Sequence, residues 1–149
     1  MGIARPSYQD NFFDAAFVST AGRNISLTNT LPNGQSLLTS FPSAPPARYH
    51  PVSMVGAQRS GVRSVTRLNQ PAHVIEVRGN LVYGDIRIND VVLTNIPVFG
   101  GDSGGAVFST NNRQTLGIVV GGNQDVMAFL PANRIFERIR VNGRALVRF

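Results

Sequence analysis

From Val52 onward, short runs of branched and aromatic residues alternate with turn residues, and this alternation limits the chain to an antiparallel β architecture. The runs are Val52–Val55, Val62–Leu68, His73–Val77, Leu81–Tyr83, Asp85–Ile88, Val91–Leu93, Ala106–Phe108 and Leu116–Val120. Gly61, Asn69–Pro71, Gly79-Asn80, Asn89-Asp90 and Asn111-Asn112 separate them. Turn signals about ten residues apart predict a barrel or a sandwich. The period changes once. After Pro131, residues Ile135, Phe136 and Ile139 fall at helical spacing, which predicts a short helix over Asn133–Ile139. Ahead of Val52, residues 1–30 hold one compact apolar run, Phe12–Val18. Residues 31–51 carry Pro32, Pro42, Pro45, Pro46 and Pro51 with little periodicity, as a linker does.

A chain of 149 residues can build one core without staples, and this one must, because it contains no cysteine. Disulfides and thiolate zinc sites are thereby excluded. Two histidines, His50 and His73, do not make a metal cluster, so neither metal nor other cofactor is expected. No apolar run approaches the ~20 residues of a membrane span. Every one of the 14 basic residues is arginine, and against 8 acids they leave a net charge of +6. That balance attracts polyanions at long range. Only Arg134, Arg138, Arg140 and Arg144 cluster, however, so a solvated basic surface is expected and nucleic acid is not the expected partner. The first residues show no signal-peptide core and no myristoylation pattern, which leaves localisation unassigned.

One motif carries chemistry. Gly100-Gly101-Asp102-Ser103-Gly104-Gly105 places a serine in a glycine-rich turn that runs straight into the apolar segment Ala106–Phe108. Glycines admit backbone angles that other residues resist, so such a turn can aim several N–H groups at one point. A nucleophilic serine needs that arrangement, with its hydroxyl exposed and nearby N–H groups ready for a developing oxyanion. A plain hairpin turn rich in Gly, Asp and Ser is the simpler alternative.

The wider context resembles the trypsin/chymotrypsin-like serine peptidases, in particular the C-terminal portion of the compact bacterial and viral members. After Ser103 come the strand Gly105–Phe108, a turn, and the strand Leu116–Val120 ending in Gly121-Gly122. Val126–Pro131 and the helix then follow, in the order of the second half of that family's C-terminal barrel. Upstream, Asp14-Ala15-Ala16-Phe17-Val18 is similar to the family's segment bearing the triad aspartate. The resemblance implies an all-β fold: a trypsin-like antiparallel six-stranded β-barrel over 52–149, closed by a short C-terminal helix. Residues 1–30 are then the last strand or strands of an N-terminal barrel, and residues 31–51 the proline-rich link between barrels. By resemblance, Ser103 is the nucleophile and Asp14 the residue that orients its base, with the backbone N–H groups of Gly101 and Ser103 as the oxyanion hole. The substrate pocket falls at Pro97-Val98 for its base, Val120-Gly121-Gly122 for one wall, and Met127 with its neighbours for the other. No acid stands at that base, so a pocket for arginine or lysine is not expected, and an apolar or small side chain is.

The departure from the family concerns the base. The family's histidine precedes its aspartate in the chain, and no histidine precedes Asp14. His50 ends the linker and His73 opens a strand, and either is more readily a structural residue than a base. The chain is therefore expected to act with a histidine-bearing N-terminal fragment or subunit, as in an autoprocessed or viral polyprotein, on a peptide or protein substrate. Phe12, Phe13 and Phe17 would then meet that partner. The alternative expectation is an inactive peptidase-like module with a structural or binding role.

Overall fold

The structure is a computed structural model. It describes residues 3–10, 13–38, 40–58, 63–65, 70–80, 84–138, 140–141 and 144–145, with side chains over 20–38, 40–58 and 87–137. Among the described residues there are eleven strands and one helix. Strands β1 (Ile3–Asp10) and β2 (Phe13–Ser19) form an antiparallel hairpin with its own two-stranded sheet. Strands β3 (Val52–Val55), β4 (Arg63–Val65), β5 (Gln70–Asn80), β6 (Gly84–Thr94), β7 (Ala106–Ser109), β8 (Thr115–Gly122) and β9 (Met127–Pro131) build the main sheet. Helix α1 (Ala132–Arg138) follows, and β10 (Arg140–Val141) pairs with β11 (Arg144–Ala145).

The main sheet is antiparallel throughout, in the order β4-β3-β7-β8-β9-β6-β5. It has seven strands among the described residues, which corrects the expected six. Two local features change the count. Met127–Pro131 is a strand in its own right, lying between β8 and β6. Asn89-Asp90, which reads as a turn, instead lies inside one long strand. His73 pairs with Val91 while Ile75 pairs with Ile88, so β6 carries one extra residue there. Asp90 absorbs it at φ 58°, a conformation that a short carboxylate side chain tolerates better than most. Leu81–Tyr83, Val62, Thr66–Leu68 and Ile139 lie outside the described residues.

The core forms where the alternating faces of these strands meet. Val52 and Met54 of β3, Val107 of β7, Leu116 and Val119 of β8, Met127 and Phe129 of β9 and Val92 of β6 make one buried cluster with Ile96 and Val98. A fully buried aliphatic or phenylalanine side chain contributes roughly 1.5–3 kcal/mol, so this cluster is a large source of stability.

The described residues of 31–51 form no strand, yet they are tied to the sheet at several points. Leu38 makes a parallel bridge to Gln114, and Ser40 accepts the Thr115 N–H through its carbonyl at 3.3 Å. Phe41 stacks on Phe136 of α1, ring centroids 4.4 Å apart. His50 Nε2 lies 2.8 Å from Ser109 Oγ, and Ser109 is buried at the far end of β7 from Ser103. His50 therefore pins the segment ahead of β3 to the sheet. We expect Ser109→Ala to lower the stability read from urea unfolding by about 1 kcal/mol, the usual value of one such hydrogen bond. An unchanged midpoint would contradict the pinning role.

Candidate active site

Two tandem turns hold Ser103. Asp102 N–H donates to the Phe99 carbonyl at 3.0 Å, and Gly105 N–H donates to the Asp102 carbonyl at 3.0 Å. Each turn has glycine as its third residue, Gly101 at φ 97° and Gly104 at φ 83°. That is the position and the sign that a type II turn demands. The glycine spacing of the motif is thus explained by backbone geometry. Ser103 is the second residue of the second turn, where its side chain is exposed.

Asp102, the residue common to both turns, is almost wholly buried, at 1% exposure. Its Oδ1 accepts the Gln58 N–H at 3.0 Å, and its Oδ2 accepts the Phe99 N–H at 3.0 Å. A buried carboxylate is tolerated only with such partners. Gly56, next to Gln58, has no room for a side chain, because a Cβ there would run into the Asp102 carboxylate. The loop after β3 and the serine turn are therefore fitted to each other.

On its other flank the turn docks on β8. Gly104 N–H donates to the Val119 carbonyl at 2.8 Å, and Val119 N–H donates to the Gly105 carbonyl at 2.9 Å. Immediately beyond, β8 shifts register against β9 between Val119 and Gly121. The shift leaves Val120 as an extra residue on β8, a bulge of the kind that occurs beside functional sites. Among the described residues no hydrogen bond engages the N–H of Gly101 or of Ser103. Both donors of the expected oxyanion hole are thus uncommitted.

The residues expected to line a pocket meet beside this turn. Val98 N–H donates to the Asn123 carbonyl at 2.9 Å, which ties the segment ahead of the motif to the β8–β9 turn. Gly122 pairs with Met127 and lies against Val98. Val98, Val120 and Met127 are buried, and Val98 and Met127 belong to the core cluster. Pro97 and Gly121 are half-buried and Gly122 is exposed.

Asp14 lies on β2 opposite Gln9. Its side chain, like those of Phe13 and Phe17, lies outside the described residues, as does Phe12 altogether. His73 lies on β5, the edge strand farthest from β4 in the sheet order, paired with Val91. His50 is engaged with Ser109, as described above. Two features escaped the sequence reading: the buried role of Asp102 and the matching loop Gly56–Gln58. The one signal available was a lone glycine directly after an apolar strand.

The turn makes a strong prediction of its own. Gly101→Ala would force a side chain into the left-handed region and set its Cβ 2.7 Å from Gln58 Nε2. We expect a loss of about 1–3 kcal/mol in unfolding free energy, the cost of one strained residue. A variant as stable as the parent would show that the turn can be built another way.

No family model matches this sequence, and no curated protein matches it. Solved structures do. A glutamic-acid-specific serine protease, described as using a histidine triad in substrate binding, is similar at a TM-score of 0.65 with 23% identity. A Nocardiopsis protease is similar at a TM-score of 0.68 with 22% identity. Each alignment covers 91% of this chain and 70% of the other. In element order and antiparallel sheet, the chain has the fold of the trypsin/chymotrypsin-like serine peptidases.

Proposed function

We propose that this chain is the nucleophile-bearing part of a serine endopeptidase. The observation that carries the reading is the Ser103 turn, with an exposed hydroxyl and the uncommitted N–H groups of Gly101 and Ser103 on a peptidase fold. In the reaction, Ser103 Oγ attacks the carbonyl carbon of a peptide bond while a histidine takes the hydroxyl proton. The carbonyl oxygen becomes an oxyanion, which the Gly101 and Ser103 N–H groups stabilise. The histidine then gives its proton to the departing amine, leaving an acyl ester on Ser103, and water cleaves that ester by the same route in reverse. Asp14 orients the histidine and stabilises its charged form.

The histidine comes from a preceding polypeptide or a partner subunit. Support for this lies in the two histidines present: His50 is bound to Ser109 at the far end of β7, and His73 is on the edge strand β5. The alignments leave 30% of each neighbouring protease unmatched, since each covers 70% of it. The pocket segment Pro97-Val98, Val120–Gly122 and Met127 is apolar, which suits a small or apolar substrate side chain and not a charged one.

A second reading, an inactive module with a binding or structural role, draws on one observation. Val98 and Met127 are packed into the core where substrate would enter. One experiment separates the two: reaction of the chain with a serine-directed fluorophosphonate, alone and after co-expression with the histidine-bearing polypeptide encoded ahead of it or co-purifying with it. Covalent labelling of Ser103 that depends on that polypeptide supports the peptidase. No labelling under either condition supports the inactive module.

A further inference from the structure

We infer that Gln58 is a positioning residue that clamps the oxyanion side of the Ser103 turn, an inference that rests on the peptidase reading. From the loop after β3, Gln58 reaches the turn twice. Its main-chain N–H donates to Asp102 Oδ1 at 3.0 Å, which holds the shared corner of the two tandem turns. Its side chain folds over Gly101, so closely that a Cβ on that glycine would lie 2.7 Å from Nε2 and 3.3 Å from Cγ.

The turn is thereby held on both flanks. On one, the Val119 carbonyl and N–H fix Gly104 and Gly105. On the other, Gln58 covers Gly101, the residue that supplies one oxyanion donor and whose own N–H has no partner among the described residues. Gly101 needs such support. With φ at 97°, no side chain and, among the described residues, no hydrogen bond to its N–H, its peptide plane is weakly restrained, and a rotation of that plane would turn the N–H away from the oxyanion. Gly100 has open space where a Cβ would be, so among the described residues nothing on that side does the same work. Catalysis is sensitive to such placement, because a donor about 1 Å out of position can cost about 100-fold in rate.

Two measurements test this. In the chain by itself, amide hydrogen exchange at Asp102 and Gly105 reports the two turn hydrogen bonds without any need for reaction. We expect Gln58→Ala to speed exchange at both about tenfold, since local opening becomes easier. Gln58→Asn, which keeps a shorter carboxamide, should recover part of the protection. In the chain combined with its histidine-bearing partner, Gln58→Ala should slow fluorophosphonate labelling of Ser103 about tenfold and lower kcat on a peptide substrate while KM stays constant. Unfolding by urea should be unchanged within error, because an exposed side chain contributes little. Faster exchange with a parent that never labels keeps the clamp and overturns only the peptidase reading. A parent that labels, with exchange and kcat indifferent to Gln58→Ala, overturns the clamp and leaves the peptidase standing.

Discussion

Ser103→Ala is expected to abolish fluorophosphonate labelling and to cut peptide hydrolysis by a factor on the order of 10⁶ once the histidine-bearing partner is present. Ser103 is exposed in a turn where, among the described residues, no hydrogen bond engages the N–H of Gly101 or of Ser103. On the proposed reading these residues supply the attacking atom and the oxyanion donors. Removing the nucleophile leaves the donors, which by themselves retain roughly 10³–10⁴-fold catalysis over water. The isolated chain should behave almost like the variant, because a serine hydroxyl without a base is a weak nucleophile at neutral pH. With the partner, labelling should rise with pH through about 6.5, where a histidine of ordinary pKa loses its proton and becomes a base. The decisive contrary result is labelling of the isolated chain at the full rate. It would mean that His50 or His73 is the base, and His50→Ala and His73→Ala would tell which.

The second large effect concerns Asp102. Replacing it with alanine removes the acceptors of the Gln58 and Phe99 N–H groups in a place where the carboxylate is 1% exposed. Hydrogen bonds to a charged group contribute about 1.5–3 kcal/mol each, so a loss of about 3 kcal/mol or more in unfolding free energy is expected. The labelling rate at Ser103 should fall at least about 100-fold, since both turns lose their common corner. Asp102→Asn keeps the shape and one acceptor but presents its amide N–H₂ to one of the two backbone donors. It should therefore be closer to alanine than to the parent. Guanidinium unfolding and labelling under conditions where the variant is folded separate the two effects. Parent-like values in both would show that the turn is held by its glycines and by β8 alone.

Much of the site was legible because its physics is local. Glycine as third residue of a type II turn is a requirement of the backbone, so Gly101 and Gly104 announce the turn without any tertiary contact. The apolar runs of β3, β7 and β8 and the helical spacing after Pro131 are likewise properties of neighbouring residues. Asn89-Asp90 misled for the same reason. As a local signal it favours a turn, but β5 pairs with β6 on both sides of it, His73 with Val91 and Ile75 with Ile88, and the extra residue is taken up as a bulge. Val126–Pro131 is also ambiguous locally, being one apolar run directly before a helix. Its pairing with both β8 and β6 makes it a strand, and this brings the main sheet to seven strands.

Neighbouring residues were enough to set the class of backbone: antiparallel strands, a short helix after Pro131, and a serine in a doubly turned, glycine-dependent loop. Tertiary structure alone decided what surrounds that loop. The side chain of Asp102 bonds the N–H of Gln58, 44 residues away in sequence, Gly56 leaves the space for its carboxylate, and His50 is taken up by Ser109. None of these pairings has a local signature, because a hydrogen bond or a close approach between distant residues is fixed by how strands register across the sheet. That register follows from burying the largest apolar area at once.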